Sequence, residues 1–321
     1  MVDLRRSLVY GLIGAVLILA VLSTVWYGYV NASGSSIVVR FAVELNDHSS
    51  AFWVALDKGW FEEEGVHLDY KVFSTGLELA VALTKGDVDV ALACVGPLLL
   101  AKNRGVPLKL VAMMHNHGYA IVVNPDKVRD VSDLNGKSVS ASGPGSPTWV
   151  LLMLVKDKYN LTMNIHRMPP FMATTALLTG KIDAASIPEH YATLAESMGA
   201  KVLLRSQDIW PTMPGSGVAT TEDFLRNHRN LVAKIVKVLA RAIDYIKEHP
   251  DEAAKIVAKH LASDVGVLKK SMSNLEYTIK INVDEIQRYI NYLVEYNILE
   301  KNMSALDFVD TSILRELGFE D

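Results

Sequence analysis

The chain has one cysteine, Cys94, in 321 residues. A lone thiol excludes an internal disulfide framework and any site built from several thiolates. It reads most simply as a small apolar residue in the interior. An excess of charge is also missing. The 32 Lys/Arg stand against 36 Asp/Glu, a net charge of −4, and the basic residues are scattered rather than clustered. Without a basic stripe the electrostatic footprint of a nucleic-acid binder is absent, so no nucleic-acid partner is expected. No internal repeat is visible, which excludes a solenoid or propeller.

Long hydrophobic runs are scarce too, and the one present sits at the N-terminus. Arg5 and Arg6 precede an uncharged span from Ser7 to Val39, most apolar between Leu8 and Val30. About 20 apolar residues suffice to cross a bilayer as a helix. The preceding arginines favour an inside N-terminus, and Trp26, Tyr27 and Tyr29 stand where an interfacial aromatic belt would be. Residues 1–30 are therefore expected to be a membrane anchor or a signal segment, with the remainder on the extracellular or periplasmic side. Residues 31–36, Asn-Ala-Ser-Gly-Ser-Ser, form a small polar tether.

Beyond the tether the chain is mostly apolar, with strand and helix patterns in alternation. Ile37 to Val43 reads as a strand broken at Asn46-Asp47-His48. A helical pattern through Phe52, Val54, Ala55 and Leu56 stops near Gly65. Further strands are expected at Val66–Phe73, Val88–Ala93, Leu108–Met114 and Tyr119–Val123. A second series comprises a strand at Ser138–Ala141, a helix from Pro147, a helix near Met172, a strand at Ile182–Ser186, and a last strand at Val202–Arg205. Pro211, Pro214, Gly215 and Gly217 mark a loop. From Thr221 onward the pattern is helical, with Leu231, Ile235, Val238, Leu239, Ala242 and Ile246 recurring at three and four residues. Strands alternating with helices imply parallel sheets whose ligands sit at the carboxyl ends of the strands. The expected architecture is α/β: a two-lobed, hinged clamshell, with lobe 1 over 37–116, lobe 2 over 117–213, and a return to lobe 1 with C-terminal helices over 214–321.

Four segments carry a family resemblance. They are the stretch from His48 through Phe52-Trp53-Val54-Ala55-Leu56-Asp57-Lys58-Gly59-Trp60-Phe61 to Gly65; Ala82-Leu83-Thr84-Lys85-Gly86-Asp87-Val88-Asp89; Val131-Ser132-Asp133-Leu134-Asn135-Gly136-Lys137; and Leu177-Leu178-Thr179-Gly180-Lys181-Ile182-Asp183-Ala184-Ala185. In this order the chain resembles the nitrate/sulfonate/taurine group of ABC-transporter substrate-binding proteins, which also includes binders of thiamine-precursor pyrimidines. The resemblance implies a type II periplasmic-binding-protein fold, a small-molecule ligand, and permease and ATPase partners. It implies no catalysis and no cofactor. Enzymes on the same fold, of the pyrimidine-synthase or menaquinone-pathway kind, and a ligand-sensing ectodomain are the rival readings. A single cysteine speaks against the first, because those synthases carry a cysteine-rich motif.

Candidate ligand contacts lie in the loops at the strand ends. In Ser142-Gly143-Pro144-Gly145-Ser146-Pro147-Thr148-Trp149, Ser146 fits an N-cap and Pro147 the first helical position. The free N–H groups of such a helix start favour anions or polarised oxygens. Ser142, Gly143, Ser146, Thr148 and Trp149 are the candidates there. From lobe 1 the candidates are Asn46, His48, Ser49, Ser74, Thr75, Gly76, Val95 and Gly96. His115, His117 and His190 fall in the cleft or hinge. His115 and His117 share a face of a strand, and with Glu189 they can be read as a metal set or as plain hydrogen-bonding groups; no metal is expected. The resemblance places Glu189 beside the cleft, with His190 where the family commonly has proline. Trp53, Trp149 and Trp210 can stack on a flat ligand or fill the core, whereas Trp60-Phe61 reads as packing. No arginine falls in these loops, which argues against a polyanion held by guanidinium forks.

Overall fold

The computed structural model describes residues 37–300 and 303–320. The anchor or signal segment expected over 1–30 and the tether over 31–36 lie outside the described residues. Among the described residues no helix is long and apolar enough to cross a membrane.

Strand β1 (Val38–Glu44), strand β2 (His67–Phe73) and strand β3 (Val90–Cys94) alternate with helices Ser50–Asp57 and Gly76–Thr84. β1 lies parallel to β3, with Phe41 opposite Val90. β3 is buried along its whole length, as a central strand of a sheet covered on both faces must be. Strand β4 (Leu108–Met113) is followed by the short strand β5 (His115–His117). A second sheet then collects strands β6 (Tyr119–Val123), β7 (Ser138–Ala141), β8 (Asn164–Arg167), β9 (Ala184–Pro188) and β10 (Lys201–Arg205) in the order β10-β6-β9-β7-β8.

Three strands depart from the sequence pattern. β8 escapes it because it is exposed throughout, so it lacks the apolar run that marks a buried strand. The proline- and glycine-rich stretch read as a loop leads straight into strand β11 (Ser216–Thr221). This strand completes the first sheet between β3 and β4, antiparallel to both, in the order β2-β1-β3-β11-β4. Its small residues hide it: a side chain at Gly217 would crowd Leu110 at 2.6 Å. Strand β12 (Leu275–Tyr277) interrupts the expected helical run and pairs antiparallel with β5.

The chain thus passes from the first sheet to the second after β5 and returns before β11. Helix Arg229–Glu248 buries Val232, Ile235, Val236, Leu239 and Ile243 on one face, packs on helix Ser50–Asp57, and gives way to helix Pro250–Leu261 at Pro250. Alternate residues of β6 enter different cores. Ile121 and Val123 join the large core that runs through the first sheet, while Ala120 and Val122 join a smaller one with Leu177, Ala185 and Ile187. That is the period of two expected of a strand.

Candidate functional site

One pocket lies where strands of both sheets end. β1 finishes at Glu44, β3 at Cys94, β7 at Ala141 and β9 at Pro188. The pocket draws Glu44, Asn46, Ser74, Thr75, Gly76 and Cys94 from the first sheet's side. Tyr119, Ser142, Ser146, Thr148, Pro170 and Pro188 come from the second, and the space between these walls, open solvent at the mouth included, comes to ≈ 380 Å³. This is the place where open α/β sheets bind ligands.

Its floor is the carboxylate of Glu44, 2% exposed. Three donors hold it: Asn46 Nδ2 at 3.0 Å, the Cys94 backbone N–H at 3.2 Å and the Cys94 thiol at 3.1 Å. Asn46 also accepts from the His48 N–H at 3.1 Å, which sets the turn after β1. Tyr119 donates its hydroxyl to Cys94 Sγ at 3.2 Å. Burial, together with the Glu44 charge, pushes the thiol well above its ordinary range, and burial does the same to the Tyr119 phenol. Thr75 caps helix Gly76–Thr84 by accepting from Glu78 N–H. A methyl at Gly76 would run into the Glu44 carboxylate, so that helix can start here only on glycine.

The opposite wall is the helix start at Ser146. Its Oγ accepts from Trp149 N–H at 3.2 Å and donates to Gly143 O at 2.7 Å. Thr148 Oγ1 accepts from Ser142 N–H at 3.2 Å. Gly145, at φ +87°, turns its carbonyl toward Tyr289 OH (3.3 Å) and against Gly96 of helix Val95–Asn103. The two walls therefore meet at glycine.

The family described as NMT1/THI5 like matches residues 46–253. The chain belongs to the NMT1/THI5-like family. It is 26% identical over 289 residues to a Bacillus subtilis protein named for binding aliphatic sulfonates, covering 85% of this chain and 86% of that one. The fold is that of the ligand-binding component of an ABC-type import system from Staphylococcus aureus, solved with zinc bound (TM-score 0.78, 20% identity, 88% of this chain and 99% of that one). It is equally that of the alkanesulfonate-binding protein SsuA of Xanthomonas axonopodis pv. citri, bound to MOPS (TM-score 0.77, 19% identity, 86% and 98%). These relatives are solute-binding proteins rather than enzymes. The α/β periplasmic-binding fold and the family read from the sequence are borne out.

In this NMT1/THI5-like chain the expected ligand residues divide. Asn46, Ser74, Thr75, Gly76, Ser142, Ser146 and Thr148 line the pocket. Val95 is buried beside it, and Gly96 and Gly143 shape it without lining it. The others belong elsewhere. His48 is enclosed, with Nε2 on Gly118 O at 2.8 Å, and burial lowers its pKa to about 4. His115 packs on it with ring centroids 4.5 Å apart. His117 pairs with Glu276 at 3.1 Å. Ser49 and His190 are buried behind the pocket, where His190 packs on Tyr191. Glu189 is bound to Arg205 and Asn274. Of the set His115, His117 and Glu189, protein partners thus take up Glu189 and His117 Nε2, while His115 Nε2 and His117 Nδ1 are buried without a hydrogen-bond partner among the described residues.

Among the described residues no tryptophan lines the pocket either. Trp210 is fully buried, with Nε1 on Glu285 Oε2 at 2.7 Å. Trp149 meets Tyr296 edge-on, and Trp53 stacks on His260. Trp60 and Phe61 are buried packing, as expected. The ligand loops themselves hold no arginine, but Arg167, from the unforeseen β8, lies against Gly143 and lines the outer depression with Thr75 and Ser142. Glu44, Cys94 and Tyr119 are floor residues that the sequence reading misses. The signal was available, since each is a polar or reactive group at one end of a largely apolar strand.

Proposed function

We propose that the chain is the solute-capturing subunit of an ABC-type importer, closing two jaws on a small molecule outside the membrane and passing it to a permease served by an ATPase. Segment 1–30 either tethers it or is removed on export. The observation that carries this reading is the pocket built from strand ends of both sheets, with Gly96 against Gly145 where its two walls meet. Ligand closure of such jaws requires only that the closed form bind the solute more tightly than the open one.

The lining also constrains the solute. Ser142, Ser146, Thr148 and Ser74 offer hydroxyls, and Arg167 stands at the mouth with a guanidinium. These suit a small oxyanion such as a sulfonate. The buried Glu44 carboxylate opposes a bare anion at the floor and calls for a donor there, an amine or a ring N–H. The chemistry that satisfies both ends is an oxyanion head joined to a nitrogen donor, as in an aminosulfonate. Among heterocycles, an aminopyrimidine supplies the donor but not the anion.

Calorimetric titration of the full chain with taurine, ethanesulfonate, nitrate and an aminopyrimidine tests this. Taurine should bind at least tenfold more tightly than ethanesulfonate, and Glu44→Gln should remove the difference. Binding of none of the four would overturn the reading.

A further inference from the structure

Glu44, His48 and Cys94 bring three ligand atoms of different chemistry within 4.8 Å of one another, all buried. Cys94 Sγ lies 3.1 Å from Glu44 Oε2 and 3.8 Å from His48 Nδ1. Ligands held about 2.0–2.3 Å from a tetrahedral zinc ion sit roughly 3.5 Å apart, so these spacings need little adjustment. We propose that these three side chains form a binding site for a zinc-class divalent ion, open on its fourth side to the pocket.

Two further observations support the assignment. His48 Nε2 is fixed on the carbonyl of Gly118 at 2.8 Å. With the proton on Nε2, Nδ1 is left as a lone pair facing Cys94, the arrangement by which metal-bound histidines are oriented. Access is also present, because Glu44 and Cys94 both line the pocket. A mixed sulfur, nitrogen and oxygen set suits zinc or cobalt better than magnesium or calcium. Three protein ligands with one open position leave room for water or for a donor atom of the solute. Asn46 and Tyr119, bonded to Glu44 and Cys94, would orient two of the ligands.

The site stands whether or not the chain serves an importer, but it would change what the pocket accepts. A bound dication replaces the negative floor at Glu44 with a positive one, so local charge preferences invert. A solute refused by the metal-free pocket for its bare anion would then be welcome.

The test is made with the metal alone. The full chain in detergent is stripped with chelator and titrated with Co²⁺ by absorption and with Zn²⁺ by calorimetry. One equivalent of cobalt should raise a near-ultraviolet thiolate-to-metal band. Because Cys94 is the chain's one cysteine, that band can come from no other residue. Glu44→Gln and His48→Gln should each weaken zinc binding by about tenfold or more, and Cys94→Ser should abolish the band. If Cys94→Ser proves unfolded by circular dichroism, the other two variants carry the test. Absence of the band, or zinc binding unchanged in both Glu44→Gln and His48→Gln, overturns the site and leaves surface histidines as the binders. The taurine titration is made on the metal-stripped chain, so failure of the metal site and failure of the solute reading are told apart.

Discussion

Arg205 closes on the carboxylate of Glu189, its Nε within 3.2 Å of both oxygens and a terminal nitrogen 3.1 Å from Oε1. The carboxylate is almost wholly buried, and Asn274 Nδ2 adds a third donor group at 2.8 Å. Three segments meet at one charge: the end of β9, the end of β10 and the turn before β12. Glu189→Ala leaves the guanidinium and the amide without their acceptor. Removing one partner of a buried pair costs about 3–5 kcal/mol, and Arg205, a quarter exposed, puts this one at the lower end. The urea midpoint should fall accordingly, with Glu189→Gln falling less. An unchanged midpoint combined with lost solute affinity would return Glu189 to the ligand site.

The histidines behind the pocket predict how the metal-free protein responds to acid. Burial holds His115 well below its ordinary pKa, lowers His117 and His190, and brings His48 from 6.5 to about 4. As pH falls below about 6.5, the unfolded chain takes up these protons before the folded one, so stability is lost. For His48 alone the loss reaches about 3 kcal/mol by pH 4. Facing these rings, Asp47 and Glu189 are held above the usual carboxylate range by burial, and their protonation in the folded state works the other way. Urea midpoints between pH 7.5 and 4.5 should decline, and His48→Gln should make the decline shallower. A flat profile would sink the prediction.

The sequence made the scaffold legible and the lining of the pocket legible only in part, for definable reasons. Apolar strands with polar loops at their ends, as at Phe41–Val43 and Val90–Ala93, show periodicity and punctuation together, and there the reading held. β11 carries Ser, Gly, Ala and Thr with a single larger apolar residue, Val218, so no apolar run marks it, although it lies in the middle of a sheet. β8 is exposed and equally silent, and with it went Arg167. The placements of His48, Glu189 and Trp210, which do not line the pocket, share a different cause. Proximity to a strand end was legible, but the direction of each side chain was not. Gly118 O, Arg205 and Glu285, which claim these three, are distant in sequence.

Trp210 tests that last point. Its indole N–H donates to Glu285 at 2.7 Å, and Arg288 lies over the ring at 4.8 Å. Trp210→Phe keeps a ring for the packing but strands a carboxylate acceptor. A lost hydrogen bond to a charged partner costs about 1.5–3 kcal/mol. Thermal unfolding should register that loss while taurine affinity stays within about twofold. Loss of affinity without loss of stability would mean the indole reaches the solute after all.

Gly96 separates a jaw contact from ordinary packing. A methyl at this position would overlap the Gly145 carbonyl and crowd Tyr289 OH. Gly145 sits at φ +87°, a conformation costly for any other residue, so that side of the contact cannot readily yield. Helix Val95–Asn103 itself tolerates alanine well. If the two walls are separable jaws, Gly96→Ala leaves each wall intact and holds them apart. Small-angle scattering should then show a larger radius of gyration, with the urea midpoint close to that of the unaltered chain. Should the radius stay the same while the midpoint drops sharply, the two walls are one fixed core, and binding cannot proceed by their closure.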